Sequence, residues 1–168
     1  MSVGMDAVRE RMAEYLTGQG VAAVTAWPLE ERRALEGPVA VVSLRGCRAE
    51  PGGFQNYLGE RYNQEKGMWE ELYGQRVTLT FGLDLYAPAR GDGADLQGAF
   101  DTLAQALTLG GPQGLPVQEF SCGETEYDAG ARLRKRSVQA VCRAFLRAVE
   151  GTEDVFFTDF ELRGGLQQ

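Results

Sequence analysis

From Arg76 to Tyr86 the chain reads RVTLTFGLDLY, and its side chains alternate without a slip. Val77, Leu79, Phe81, Leu83 and Leu85 fall on one face, and Thr78, Thr80, Gly82, Asp84 and Tyr86 on the other. Successive side chains of an extended strand point to opposite faces, so a period of two predicts an antiparallel strand packed on a core through one face and wetted on the other. The rest of the chain must then supply hydrogen-bonding partners for this strand and a cover for its apolar face. A length of 168 residues suits one domain with a single core that does both.

Candidate covers are two amphipathic helices. Over residues 5 to 17, Met5, Val8, Met12, Tyr15 and Leu16 recur at spacings of three and four, and Gly18 and Gly20 stop the run. Over residues 96 to 109, Leu96, Phe100, Leu103 and Leu107 do the same, with Asp92 or Asp95 as the expected N-cap and GGP at 110 to 112 as the stop. Candidate partner strands are residues 21 to 27, closed by Pro28; VAVVSL at 39 to 44, ending at Arg45 and Gly46; and residues 115 to 122. Between Pro28 and Pro38, LEERRALEG is charged, flexible in character or one helical turn.

Residues 134 to 149, RKRSVQAVCRAFLRAV, fit two templates. A helix would align Val138, Val141, Cys142, Phe145, Leu146 and Val149 in one stripe; a strand would put Val138, Ala140, Cys142, Ala144, Leu146 and Ala148 inward and Gln139, Arg143 and Arg147 outward. Periodicity alone favours the helix. The turn-like EGTED at 150 to 154 and the apolar Val155, Phe156, Phe157, Phe160 and Leu162 after it favour a hairpin, and we take the strand. The expected fold class is α+β: a single domain over residues 1 to 168, with a mostly antiparallel sheet of about five to six strands flanked by two helices.

Ahead of the alternating strand lies an aromatic-rich insertion at about 47 to 75. It opens on the turn-like EPGG at 50 to 53 and holds Phe54, Tyr57, Tyr62, Trp69, Glu70, Glu71 and Tyr73. We read it as a packed functional loop. Its aromatics suit a protein interface, where Tyr, Trp and Arg act as anchors; the other reading is a loop folded onto its own core. Tyr57, Arg61, Tyr62, Trp69, Glu70 and Tyr73 are the candidate interface residues. Stacking on nucleic-acid bases fits less well, because Glu60, Glu65, Glu70 and Glu71 match Arg61, Lys66 and Arg76 and no basic groove surrounds the rings. Further on, Glu119, Glu124, Glu126 and Asp128 make an acidic patch, and Arg132, Arg134, Lys135 and Arg136 a basic one. Their bland reading is solvated loop charge.

Several chemistries are disfavoured. With no histidine, Ser-His, Cys-His and metal-His mechanisms have no base or ligand, and a structural zinc lacks part of its usual set. Glu70 and Glu71 are neighbours in sequence, whereas a glycosidase pair must face each other across a sugar. RGDG at 90 to 93 and GGPQG at 110 to 114 match neither the P-loop nor the dinucleotide fingerprint, and their glycines read as turn residues. Asp92, Asp95 and Asp101 lack calcium-loop spacing. No enzyme, cofactor or metal is expected. A net charge of -7 argues against wrapping duplex DNA or reading it sequence-specifically. Cys47, Cys122 and Cys142, an odd set without CxxC spacing, fit reduced thiols in a cytosol. The apolar runs are short and the N-terminus is charged throughout, so neither a membrane span nor a signal peptide is expected.

The order of VAVVSLRGC, GFQNYLGERYN, MWEELYGQRVTLTFGLDLYAP, the GPQGL turn and the terminal FFTDFELRG resembles a family of small prophage tail-module proteins of Gram-positive bacteria, similar to tail terminators and tail-completion proteins. The resemblance covers most of the chain and is strongest from YLGERYN to LYAP. It implies a compact α+β subunit that forms a homo-oligomeric ring, commonly a hexamer, at the head-proximal end of a tail tube. Implied partners are further copies of the chain, the tube protein, the sheath of a contractile tail, and the head-tail connector. The implied location is the bacterial cytoplasm during assembly and then the particle. On this reading the aromatic segment would reach a neighbouring subunit, the patches holding Glu124, Glu126, Arg134 and Arg136 would pair head to tail around the ring, and an acidic lumen would let DNA slide. The alternative is an assembly adaptor, chaperone or minor connector that forms no ring.

Overall fold

The computed structural model describes residues 5–33, 35–51, 57–89, 93–130, 132–149 and 160–163. Among them the chain is α+β, in the order α1 (Met5–Gly18), β1 (Ala23–Val24), α2 (Leu29–Arg33), β2 (Val39–Pro51), β3 (Tyr57–Asn63), β4 (Met68–Pro88), α3 (Ala94–Thr108), β5 (Val117–Asp128), β6 (Leu133–Val149) and β7 (Phe160–Arg163). The sheet thus has seven strands and the helices number three, against the expected five to six and two.

The alternating segment is the middle of β4, and it is the axis of the molecule. β2 and β6 flank it antiparallel, giving the order β1-β2-β4-β6-β5, with β1 parallel to β2. β3 pairs with β4 beyond the end of β2, and β7 pairs with β6 beyond the end of β5. On one face Val77, Leu79, Phe81, Leu83 and Leu85 are fully buried, joined from β6 by Val138, Ala140, Cys142 and Ala144. Helix α1 covers them with Val8, Met12 and Leu16, and α3 with Leu96, Leu103 and Leu107. The Tyr15 hydroxyl donates to the Ala106 carbonyl at 2.7 Å and ties the two helices together.

The opposite face is polar along most of its length. A small cluster of Trp27, Val39 and Leu133, with Tyr86 against Trp27 at 4.7 Å between ring centres, covers only its end near Pro88.

The strand taken for residues 134 to 149 is borne out, and several other local expectations are corrected. Residues 133–149 are a strand: β4 on one side and β5 and β7 on the other satisfy its backbone, which no isolated helical stripe could offset. β2 continues past Arg45 and Gly46 to Pro51, because a bulge between Leu44 and Gly46 absorbs one residue and lets the pairing with β4 resume. The first half of β4 and all of β3 lie in what we read as an insertion loop, so this part of the aromatic segment is sheet. Helix α3 starts at Ala94 after Gly93, which has φ 84° and makes no side-chain cap; Asp95 lies in the first turn, and Asp92 lies outside the described residues. The same holds for Gly52 and Gly53 of EPGG, whose Glu50 and Pro51 end β2, for EGTED, and for Val155, Phe156 and Phe157; Phe160 and Leu162 fall in β7.

Candidate functional site

β3 and β4 form a hairpin whose tip, Gln64 to Gly67, is built by local chemistry. The Asn63 Oδ1 accepts the backbone N–H of Glu65 at 3.0 Å and of Lys66 at 3.1 Å, and Gly67 takes φ 62°, where a β-carbon would be strained. The register sets Asn63 opposite Met68, Tyr62 opposite Trp69, Arg61 opposite Glu70, Glu60 opposite Glu71 and Tyr57 opposite Tyr73. Six of the candidate residues, Tyr57, Arg61, Tyr62, Trp69, Glu70 and Tyr73, are therefore gathered on one hairpin. Among the described residues β6 reaches only to Leu72 of β4, so the end of the arm is a two-stranded ribbon roughly 14 Å long beyond its described neighbours.

Beside the exposed polar turn of Gln64, Glu65 and Lys66, the tip presents three large apolar side chains. Trp69 is 65% exposed and Tyr62 51%, their rings edge to face with 5.6 Å between centres, and Met68 beside them is 54% exposed. Such a ring pair contributes about 0.5–1.5 kcal/mol to holding the tip's shape. Burying both rings against a partner would contribute several times that, since an aromatic ring carries roughly 150–250 Å² of surface. Tyr62 and Trp69 do not fold back on the subunit's own core, which was one of the two readings of this segment.

The acidic and basic patches lie at the other end of β4, on the order of 50 Å from Trp69. They are two arms of the β5–β6 hairpin, with Thr125 opposite Arg136, Glu126 opposite Lys135 and Tyr127 opposite Arg134. Arg136 is engaged within the subunit. Its guanidinium sits 3.9 Å from the Phe100 ring centre of α3 and donates to the Gly123 carbonyl at 3.2 Å and to Gln97 Oε1 at 3.2 Å. Arg134 lies on the same side, lining a hollow with Gly93, Gln97 and Thr125. Glu124 and Glu126 are exposed on β5.

Sequence reasoning missed a second surface on the open face. Arg48, Thr78 and Arg143 stand side by side on β2, β4 and β6, with Glu50 and Arg76 in the next row. With Glu119 they line a shallow hollow of about 320 Å³. Arg48 pairs with Glu50 at 2.9 Å; Arg76 and Arg143 make no ion pair among the described residues. Strand alternation had already turned Arg143 outward, but only the pairing of three distant segments sets these arginines in a row. Nearer the covered end, Arg45 donates to both oxygens of Asp84, at 2.8 and 2.7 Å.

Among the described residues no group of three His, Cys, Asp or Glu side chains could hold a metal ion, and no helix is long and apolar enough to cross a membrane. Burial raises the Cys47 thiol and pushes that of Cys142, inside the core, up to about 12. Set against models of known families and against characterised proteins, the chain matches none.

Proposed function

We propose that this chain is a structural subunit of a phage or phage-derived tail, of the contractile-injection or bacteriocin-like kind, forming a ring that terminates the tail tube at its head-proximal end. The observation that supports it best is the Tyr62–Trp69 pair with Met68, held in the open on a ribbon that stands clear of the core. Exposed aromatics on a braced tip suit capture by a concave partner surface, where such anchors carry most of the binding energy. The tube end is the partner this reading assigns to the tip, with the sheath or the head-tail connector on other faces. The subunit acts by shape, and no step of it calls for a metal, cofactor or nucleophile.

The test is a Y62A/W69A double variant assayed with purified tails. Both side chains are exposed, so its Tm should stay within a few degrees of wild type while binding to tube ends falls at least about tenfold, as loss of an anchor of about 1.4 kcal/mol or more requires. Undiminished capture by tube ends would remove the tip from the mechanism. Capture without retention in the finished particle would favour an assembly adaptor over a ring.

A further inference from the structure

Among the described residues the sheet ends in two open edges of opposite chemical character. On one side β1 covers only Ala40 and Val41 of β2, so the outer edge of residues 43 to 51 is unpaired among the described residues. On the other side β5 is the last strand of its row, and from Ser121 to Asp128 every residue is exposed. An edge of this length presents a row of free N–H and C=O groups, which proteins ordinarily block or use. β5 carries Glu119, Glu124, Glu126 and Asp128 and no base. The open part of β2 carries Arg45, which pairs with Asp84 of its own subunit, and Arg48, which pairs with Glu50, with Arg76 and Arg143 in the strands behind.

We infer that β5 of one subunit pairs antiparallel with the open edge of β2 of a second copy, so that the sheet runs on from subunit to subunit. Topology sets the direction. Each of the steps β2 to β4, β4 to β6 and β6 to β5 reverses the chain, so β5 runs opposite to β2. A copy rotated about an axis along the strands therefore brings its β2 beside β5 in antiparallel sense. Charge selects this contact over its symmetric rivals: β5 against β5 would set carboxylates against carboxylates, and β2 against β2 would crowd arginines. The bulges in each strand, after Val117 and Cys122 in β5 and after Leu44 in β2, further oppose self-pairing of identical edges. The contact is heterologous, so it repeats and closes into a ring when the rotation permits.

Two native cysteines report on it. Cys47 lies at the middle of residues 43 to 51 and Cys122 at the middle of β5, and both are exposed. Pairing the strands centre on centre sets Cys47 beside Cys122 of the neighbour and brings Arg45 within a residue or two of Glu124. The inference deepens the ring part of the proposed function and rests on that reading only in requiring copies of the chain to meet.

The experiment uses the purified full chain, without tail components, and a short bismaleimide. Wild type should give a covalent ladder beyond the dimer. C47S and C122S, each on an exposed position, should each give no ladder, and an equal mixture of the two should give a covalent dimer and nothing larger. A dimer from either variant alone would establish a symmetric contact and overturn the inference. So would a wild type that oligomerises by light scattering without cross-linking, or one that stays monomeric at its highest attainable concentration. E124K/E126K, with unchanged circular dichroism, should shift the wild-type oligomer towards monomer; unchanged oligomerisation would also overturn it. Tube binding enters none of these readouts. A positive ladder with no affinity for tube ends would defeat the tail reading and leave the edge contact standing.

Discussion

Cys142 shows how a single side chain ties the sequence to stability. It faces the core from β6 with no exposure, and burial lifts its thiol from 9.0 to about 12. An unfolded chain ionises that thiol near its ordinary value while the folded chain keeps the proton. Its folded pKa is the higher one, so the contribution is complete below about pH 9 and is lost as pH rises toward 12. The expected result is that wild type loses about 2 kcal/mol more than C142A between about pH 9 and pH 11, read from urea midpoints at each pH. Parallel pH profiles would mean that water reaches the thiol. Gly111 is the other residue with a physical reason to be what it is. Its φ is 89°, and an added β-carbon would stand 2.8 Å from the Leu115 carbonyl. The run GGPQG reads as a turn from sequence because glycine takes a positive φ without the strain other residues incur, and Gly110, Gly111 and Gly114 all have positive φ.

Elements were legible where one face meets a core and the other meets water. Helix α1, helix α3 and the middle of β4 carry their periods openly because burial imposed them. The hairpin arm was not legible, since both of its faces are wet near the tip and nothing forces an apolar alternation on Glu60, Arg61 and Tyr62. β6 was ambiguous for a different reason: small residues, Ala140, Cys142 and Ala144, fill its core face and suit either period, and its neighbours in the sheet decide. The charged run beginning at Arg134 gave no sign that Arg136 would lie on Phe100, a contact between elements far apart in sequence. That contact belongs to the subunit's own architecture. R136A should therefore lower stability by about 1–3 kcal/mol through loss of the cation–π contact and of its hydrogen bonds to Gly123, Gln97 and Cys122 Sγ. Equilibrium unfolding should show a lower midpoint at unchanged slope, and the folded variant should self-associate as wild type does. A variant of normal stability that failed to self-associate would move Arg136 from the inside of the subunit to its interface.

At the scale of the whole molecule, the two tasks proposed above fall at opposite ends of β4. Tyr62 and Trp69 sit at one end, the acidic part of β5 sits by the other, and on the order of 50 Å lies between them. Sites so far apart, with no shared partners, perturb stability independently. On the proposed function and the edge contact inferred above, the two are coupled in one direction only. A ring offers many copies of the tip to one tube end, and multivalent attachment can exceed a single contact by roughly 10²–10⁴-fold when geometry lets the copies engage together. Loss of the tip leaves the ring; loss of the ring leaves single tips too weak to hold. Y62A/W69A should therefore keep the wild-type oligomer while losing the tube end, whereas E124K/E126K should lose both although its tip is intact. Sedimentation of each variant alone, followed by pelleting with tails, reads the two tasks separately. The order of the losses carries the argument: were E124K/E126K to bind tube ends as a monomer with wild-type affinity, one tip would suffice and the ring would have no part in attachment.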